Sequence, residues 1–387
     1  MERWTTHRRG VVAALTLTAA GLASVTRAAD SKAWSPLDDA IDRALREKVF
    51  PGIAMQVNRG DEVLYSRAAG IANIETNTPM SMGSVFRIAS NTKQFTAAAI
   101  LTLQQDGKLS IDDPLAKYMP DFPKADQITL RRLLDHTSGL GSFTSVKLET
   151  FLQVMRLDYD DAAILRAIKN ANPLFLSEPG TIWNYSNSNY VLLGFVIAQV
   201  SGQSYADFLQ SRLFGPLGLR QTAVDDAAEI VLHRAAGYTM AKSTPTGFNN
   251  AAFISMTYPR GSGSIRSTAP DLCRWMAALM GGRVLHAENL KAMLSPARLK
   301  DGSLPPSSNP RAPPGAAGPR YGFGLSLEDV RGHRQAWHQG GISGYFSELR
   351  NLPEIDTHLA ILVNRDGLGG PPTNPIASAA LDLLLQT

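Results

Sequence analysis

The sequence predicts an α+β fold in which one antiparallel sheet, flanked by helices, is built from both ends of the chain. A mostly helical lobe is predicted as an insertion between them. Strand patterns occur within residues 52–66 and again within 322–363, whereas helical patterns dominate residues 109–239. Strands grouped at both chain ends are most simply assembled into one sheet, with the intervening helices packed beside it. No fixed-period internal repeat is present.

The N-terminal elements are a helix, a hairpin and a second helix. Apolar residues at helical spacing predict an amphipathic helix over residues 36–49. Two strand-like runs, 52–57 and 62–66, are separated by Asn58-Arg-Gly-Asp61, which predicts a hairpin turn. A long apolar helix is then expected from about residue 90 to residue 105.

The remaining elements follow from the same periodicities. Helices are predicted over residues 129–135, 151–170, 190–200, 205–213, 270–278, 287–294 and 376–385. C-terminal strands are predicted over residues 322–327, 334–338, 345–349 and 358–363. The last of these strands is apolar throughout, which is typical of a strand covered on both faces. Residues 302–320 are rich in Pro, Gly and Ser and are expected to form a long surface loop.

Charge and composition limit the class of function. The chain has 387 residues and a formal net charge of +4, of which +3 falls within residues 1–29 (four Arg against one Glu), so the rest carries +1. A nearly neutral mature chain offers no basic patch for nucleic acid. Cys273 is the single cysteine, which excludes an intramolecular disulfide and indicates a buried structural thiol.

The N-terminal segment has the pattern of an export signal. Arg8 and Arg9 precede an apolar run over residues 10–25, and small residues follow around Ala28-Ala29. The run is too short and too interrupted by Thr, Gly and Ser for a good membrane span, and the arginine pair suits a twin-arginine signal. We therefore expect a signal peptide over 1–29, a periplasmic or secreted protein, and a domain over 30–387. That domain would comprise an α/β lobe (30–108 and 240–387) and a helical lobe (109–239).

Three short motifs carry the candidate chemistry. Ser90 and Lys93 stand three apart at a predicted helix start, so the amine would lie beside the hydroxyl and can act as its base. Tyr185-Ser-Asn187 precedes a helix of the inserted lobe, and His338-Gln-Gly-Gly341 ends a C-terminal strand. Segments so distant in sequence are expected to meet in a cleft between the lobes.

Competing motifs are weaker. Asp135-His136-Thr-Ser138 contains the residue types of a catalytic triad, but neighbouring side chains diverge and triads are assembled from distant segments. His136 is therefore expected to have a structural role at a helix end. The chain contains no Gly-x-Ser-x-Gly elbow, no zinc-binding His-Glu-x-x-His and no Gly-rich phosphate loop. We expect neither a metal nor another cofactor.

With these three motifs in this order, the chain resembles the penicillin-recognising serine hydrolases. This family includes class C β-lactamases, D-alanyl-D-alanine carboxypeptidases, D-aminopeptidases and related esterases. The resemblance covers residues 36–385 and includes the framing phrases 133–140, 185–190, 214–219 and 321–324. It implies the β-lactamase/DD-peptidase fold and hydrolysis through a covalent acyl-enzyme.

The resemblance also implies roles for individual residues. Ser90 would be the nucleophile, and Lys93 and Tyr185 the acid–base pair, with the Lys93 charge lowering the pKa of the hydroxyls beside it. Asn187, His338, Gly340 and Gly341 would bind the substrate. The backbone N–H groups of Ser90 and Gly341 would form the oxyanion hole, each worth about 3–4 kcal/mol.

One departure bears on the substrate. Many efficient β-lactamases carry lysine where this chain has His338, and histidine is only partly charged near neutrality. We therefore expect a weak dependence on a substrate carboxylate.

The expected substrate is a small molecule or peptide: a D-amino-acid peptide, a β-lactam or a small ester. The alternative is a penicillin-binding sensor or wall-associated binding protein that is acylated without turnover. The oligomeric state is left open by the sequence.

Overall fold

The computed structural model describes residues 33–306, 318 and 320–385. The strands of this part of the chain are β1 Gly52–Arg59, β2 Glu62–Asn73, β3 Thr78–Pro79, β4 Phe86–Arg87, β5 Ala223–Val224, β6 Tyr238–Met240, β7 Phe248–Asn250, β8 Ile265–Ser267, β9 Ser326–Val330, β10 His333–Ile342, β11 Tyr345–Leu352 and β12 Thr357–Val363. The predicted export signal, residues 1–29, lies outside the described residues.

The helices lie around and between these strands. In the same part of the chain they are α1 Ser35–Arg46, α2 Thr92–Gln105, α3 Leu130–Leu134, α4 Leu148–Val154, α5 Asp161–Lys169, α6 Asn187–Ser201, α7 Tyr205–Leu209, α8 Ala269–Met280, α9 Ala287–Met293 and α10 Asn374–Leu384. Among the described residues, no helix combines the length and apolarity needed to cross a membrane.

The main sheet joins the two ends of the chain. Its strand order is β3-β2-β1-β12-β11-β10-β9, and every neighbouring pair is antiparallel. The junction is the pairing of β1 with β12, which runs from Ile53 opposite Val363 to Arg59 opposite Thr357. This topology confirms the predicted α+β fold with one sheet built from both chain ends.

The sheet is covered by helices on both faces. Ile361 on β12 belongs to the same buried cluster as Ile41 of α1 and Ile376 of α10, whereas its neighbour Leu362 belongs to the larger core that contains α2 and α8. Successive side chains of a strand point to opposite faces, so an apolar strand between two helical layers buries every residue. All seven residues of β12 are buried, as the continuous apolar run predicts.

Helical elements dominate the inserted segment, but one predicted helix is wrong in extent. The pattern over residues 151–170 is divided between α4 and α5. Asp160 caps the start of α5, because its side chain accepts a hydrogen bond of 2.6 Å from the backbone N–H of Ala163. A capping aspartate therefore interrupts what periodicity alone joins into one helix. The division into lobes at residues 108 and 239 stays a prediction.

The first C-terminal strand begins later than predicted. Residues 322–325 form a turn in which the N–H of Gly322 donates to the carbonyl of Leu325, and β9 begins at Ser326. Gly324 has a φ of +73°, and a Cβ atom there would lie 2.7 Å from the carbonyl carbon of Lys93. Glycine is required at this position because the turn packs directly on the backbone of α2.

Candidate active site

Ser90 lies in a tight turn, Ala89–Asn91, immediately before α2. Ala89 has a φ of +48°, a left-handed conformation that is costly for a residue with a side chain and that often marks a functional site. The turn is held on two sides. Ile88 donates its N–H to the carbonyl of Ile265 at 2.9 Å, and the Ser347 hydroxyl donates to the carbonyl of Ile88 at 2.7 Å. The hydroxyl of Ser90 is therefore presented from a fixed backbone.

Lys93 lies one turn further along, fully buried, as the spacing predicts. Its Nζ is 3.1 Å from the Ser90 hydroxyl oxygen, 2.8 Å from Oδ1 of Asn187 and 2.8 Å from the carbonyl oxygen of Ser262. No carboxylate forms a salt bridge with it in the described part of the chain. Burial lowers the pKa of the Lys93 ammonium well below its usual range, because the charged form loses its hydration.

Tyr185 lies on the other side of this amine. The centroid of its ring is 4.8 Å from Nζ of Lys93. Burial raises the pKa of the Tyr185 phenol, and the nearby Ser90 hydroxyl acts weakly in the opposite direction. In the resting site, burial therefore determines the pKa of this phenol, and the lowering expected from the Lys93 charge does not prevail. Burial favours the neutral form of both groups.

Asn187 begins α6, and its side chain contacts the Lys93 amine. Its Oδ1 accepts from Lys93, and its Nδ2 donates to the Thr144 hydroxyl at 2.9 Å. An amide nitrogen carries two hydrogens, so one remains for another acceptor. Asn187 thus orients Lys93 and retains one donor.

Strand β10 brings Gly340 and Gly341 beside the serine. A Cβ atom on Gly340 would lie 2.1 Å from the carbonyl oxygen of Ile88 and 3.0 Å from the backbone nitrogen of Ser90. At Gly341 the nearest atom would be a ring carbon of Phe346 at 3.4 Å. The close approach of β10 to the serine turn therefore requires glycine at 340 more strictly than at 341.

His338 lies deeper in the structure and is only 7% exposed. Its Nδ1 is 2.6 Å from the carbonyl oxygen of Gln339, and its Nε2 is 3.0 Å from the Tyr321 hydroxyl. A carbonyl can only accept, so Nδ1 carries the proton and Nε2 accepts from Tyr321. Burial lowers the pKa of His338 to about 3, the Lys93 charge adds to this shift, and the hydrogen bond to Gln339 opposes it. His338 is therefore neutral near pH 7.

His136 lies behind Tyr185, where α3 ends. Its ring centroid is 4.5 Å from that of Tyr185, and its Nδ1 lies 3.0 Å from Nδ2 of Asn189. The Ser186 N–H donates to the same nitrogen at 3.3 Å. Asp135 instead accepts from the N–H and hydroxyl of Thr137, so Asp135 and His136 do not form a catalytic pair. His136 thus packs on Tyr185 and contacts the start of α6, in keeping with the structural role expected for it.

A cavity of about 790 Å³ opens beside the serine. Ser90, Asn187 and Gly341 line it, whereas Lys93, Tyr185, His338 and Gly340 do not. Most of its other walls are apolar: Val146, Leu148, Phe151, Met155, Ile342 and Phe346. The structure thus brings all seven sequence-predicted residues into one region, of which three face the cavity.

Sequence reasoning missed two contributors to this region. The carbonyl of Ser262 accepts from Lys93, but a backbone group leaves no trace in residue identity. The Tyr321 hydroxyl holds His338, yet Tyr321 appears in the sequence only within a framing phrase. The two glycines that flank Ser262, Gly261 and Gly263, are the one sequence signal that the backbone at Ser262 approaches another part of the chain closely.

Fold and site together define a serine hydrolase of the class that includes β-lactamases and penicillin-binding proteins. The family model described as Beta-lactamase matches residues 37–382, so the chain belongs to this family.

Individual relatives agree with this assignment. The chain is 30% identical over 328 residues to penicillin-binding protein 4* of Bacillus subtilis (strain 168), covering 82% of this chain and 68% of that one. It is 32% identical to the putative penicillin-binding protein PbpX of the same organism, of whose length it spans 61%. Among solved structures, D-amino acid amidase from Ochrobactrum anthropi SV3, complexed with L-phenylalanine amide, superposes with a TM-score of 0.76 at 27% identity. That superposition covers 91% of this chain and 98% of the amidase.

Proposed function

We propose that this chain is an exported hydrolase that cleaves an amide or ester bond through a covalent acyl-enzyme on Ser90. The observation that carries the proposal is the environment of Lys93. Its fully buried Nζ lies 3.1 Å from the Ser90 hydroxyl and 2.8 Å from each of two oxygen acceptors. Export rests on the sequence pattern of residues 1–29.

Lys93 acts as the general base in this proposal. A neutral amine has two hydrogens and one lone pair. The carbonyl of Ser262 and Oδ1 of Asn187 can only accept, so they take the two hydrogens, and the lone pair is left for the Ser90 hydroxyl. The lowered pKa of Lys93 supplies the neutral form that this step requires.

Acylation then uses Ser90, Lys93 and Tyr185 in turn. The Ser90 oxygen attacks the substrate carbonyl carbon and its proton passes to Lys93. The N–H groups of Ser90 and Gly341 stabilise the resulting oxyanion. Collapse of the intermediate breaks the bond to the leaving group, which takes a proton from the Tyr185 phenol. Protonated Lys93, 4.8 Å from the ring centroid of Tyr185, now lowers the pKa of that phenol and favours this transfer.

Deacylation uses the same groups in reverse. Water gives its proton to the Tyr185 phenolate and attacks the acyl carbon. The bond to Ser90 then breaks, and the Ser90 oxygen regains its proton from protonated Lys93, which restores both groups. Asn187 contributes its remaining N–H to the substrate. His338 supports the site indirectly, since it is neutral and both of its ring nitrogens are occupied, one by Tyr321 and one by the carbonyl of Gln339.

The candidate substrates are a D-amino-acid peptide or amide, a β-lactam and a small ester, in keeping with the names of the relatives. A parallel assay of nitrocefin, a D-Ala-D-Ala peptide and a p-nitrophenyl ester tests the proposal, with Ser90→Ala as the matched control. We expect turnover of at least one substrate that is abolished by Ser90→Ala. Wild-type turnover in that variant would overturn the assignment.

The second candidate is a sensor that is acylated without turnover, which the penicillin-binding relatives support. The hydrolase is favoured because Lys93 and Tyr185 both lie beside Ser90, so the groups that would activate water for deacylation are in place as well as those for acylation. Mass spectrometry after incubation with penicillin separates the two. A Ser90 adduct that persists for hours supports the sensor, whereas absence or rapid loss of the adduct, with release of the hydrolysed product, supports the hydrolase.

A further inference from the structure

The cavity beside Ser90 has one carboxylic acid on its described wall, Asp366. Lysine, arginine and histidine are absent from the lining formed by the described residues. We propose that the Asp366 carboxylate binds an ammonium group of the substrate, so that the preferred substrate is an amine-bearing apolar amide or ester. This inference rests on the proposed function and names its substrate class.

The backbone around Asp366 fixes the carboxylate. Its N–H donates to the carbonyl of Tyr238 at 3.0 Å, and its Oδ1 accepts from the N–H of Leu368 at 3.2 Å. No salt bridge to Asp366 and no hydrogen bond to its Oδ2 is formed by the described residues. The side chain is nevertheless largely buried, with the residue 6% exposed. A held carboxylate with a spare oxygen can bind an ammonium without reorganisation.

Arg365 is the cation next to Asp366 in the chain. Although Arg365 precedes Asp366, its side chain does not line the cavity. Its guanidinium donates to the carbonyl oxygens of Val49 and Leu368. The described cavity wall therefore offers no cationic side chain to Asp366, although the Arg365 guanidinium interacts electrostatically with it from outside the lining.

Asp366 and Ser90 both line the cavity, and a short series of neighbouring residues connects them. A Cβ atom on Gly367 would lie 2.9 Å from the ring of Phe346, which pairs across the sheet with Gly341. Gly341 adjoins Gly340, where a Cβ atom would lie 3.0 Å from the backbone nitrogen of Ser90. An amine and a scissile carbonyl of one small substrate can thus lie in the same cavity.

The apolar surroundings of Asp366 determine which substrate charge the cavity favours. A carboxylate in a largely apolar cleft interacts more strongly with other charges than it would in water. It attracts an ammonium and repels a second carboxylate, so it selects by both effects. Penicillins and peptides with a free C-terminal carboxylate are therefore disfavoured relative to neutral or cationic substrates of the same size. The exposed apolar side chains Leu148 and Leu368 at the cavity wall favour a bulky apolar group beside the amine.

The first test compares matched substrates at pH 7. Phenylalanine p-nitroanilide, in both configurations, is compared with 3-phenylpropionyl p-nitroanilide, which lacks only the amine. We expect kcat/KM for the better phenylalanine substrate to exceed that of the des-amino compound by about tenfold or more, which is 1.4 kcal/mol of discrimination. Asp366→Asn, which keeps the acceptor for Leu368, should abolish most of this ratio while changing the des-amino rate less than about threefold. Asp39→Asn, at an exposed position on α1, is the control.

A second test does not depend on turnover. Calorimetric binding of 3-phenylpropylammonium, 3-phenylpropanol and 3-phenylpropionate to the Ser90→Ala protein should give affinities that decrease in that order. Equal affinity for the ammonium and the carboxylate, or an unchanged substrate ratio in Asp366→Asn, overturns the amine site. Such a result would leave the Ser90 mechanism standing. Failure of the mechanism alone would appear as turnover that survives Ser90→Ala, with the binding order intact.

Discussion

Nε2 of His338 accepts a hydrogen bond of 3.0 Å from the hydroxyl of Tyr321. This contact occupies the ring nitrogen that an approaching substrate would need, and the carbonyl of Gln339 occupies the other. His338 therefore contributes a neutral, fixed imidazole to the site.

The pH dependence of stability tests this state of His338. An unfolded histidine has a pKa of about 6.5, whereas the pKa of His338 in the folded chain is about 3. Between these two pH values His338 is protonated in the unfolded chain and neutral in the native one. The free energy of unfolding should thus fall as the pH falls through this range, by up to about 1.4 kcal/mol per pH unit from this group. In His338→Gln, which can keep both hydrogen bonds, urea unfolding should show a shallower pH slope. His286→Gln, at an exposed position, should retain the wild-type slope, and an equal slope in all three proteins would contradict the buried neutral histidine.

Lys93 is predicted to act as a base that must lose its proton. Arginine keeps its charge at all working pH values, so Lys93→Arg should lower kcat by about 10²–10⁴, the usual worth of a general base. Lys93→Met should be equally inactive although it has no charge. If the arginine variant kept activity within tenfold of wild type, a permanent cation would suffice and the base role would be wrong.

The same base sets the acid side of the pH–rate profile. Burial lowers the pKa of Lys93, so the neutral amine persists to lower pH than for a free lysine, and kcat/KM should fall once the pH drops below that pKa. His338 is already neutral above about pH 4 and does not contribute to the change between pH 5 and 8. The acid limb of kcat/KM in His338→Gln should thus coincide with that of the wild type. A displaced limb would show that His338 titrates in this range.

Tyr185 is predicted to protonate the leaving group. An anilide needs that proton, whereas p-nitrophenolate leaves readily without it. Tyr185→Phe should therefore lower kcat/KM for an anilide by about 10²–10⁴ and for the matched p-nitrophenyl ester by much less. Equal losses for both substrates would assign Tyr185 another role, such as packing against His136.

Much of this site could be predicted from three short motifs and their order in the sequence. The fold could be predicted from the two groups of strands at the ends of the chain. The Ser90–Lys93 spacing predicts the hydroxyl–amine contact because one helical turn fixes it locally. The side-chain direction of His338 is different, since it depends on Tyr321, which reaches it from the turn before β9. The Ser262 carbonyl and the Asp366 carboxylate are likewise placed by tertiary packing, which no local pattern encodes.

The paired glycines of β10 give a matched test of how closely the strand approaches the serine. Gly340→Ala places a methyl group 2.1 Å from the carbonyl oxygen of Ile88, so the strand or the serine turn must move. We expect a loss of about 1–3 kcal/mol in the free energy of unfolding and a large loss of kcat. Gly341→Ala meets only the Phe346 ring at 3.4 Å and should fold with near wild-type stability. Thermal melts and kcat for both variants check this, and equal stability losses would contradict the geometry.

The acyl-enzyme itself is the central claim, and rapid-quench mass spectrometry measures it directly. The protein is mixed with an excess of a p-nitrophenyl ester that it hydrolyses, quenched in acid within milliseconds to seconds, and weighed intact before peptide mapping. We predict a mass increase equal to the acyl group, located on the peptide that contains Ser90 and formed no more slowly than kcat. Ser90→Ala should show neither the adduct nor turnover. Turnover that continues in Ser90→Ala, or an adduct on another residue that is formed and lost at the rate of catalysis, would contradict the account.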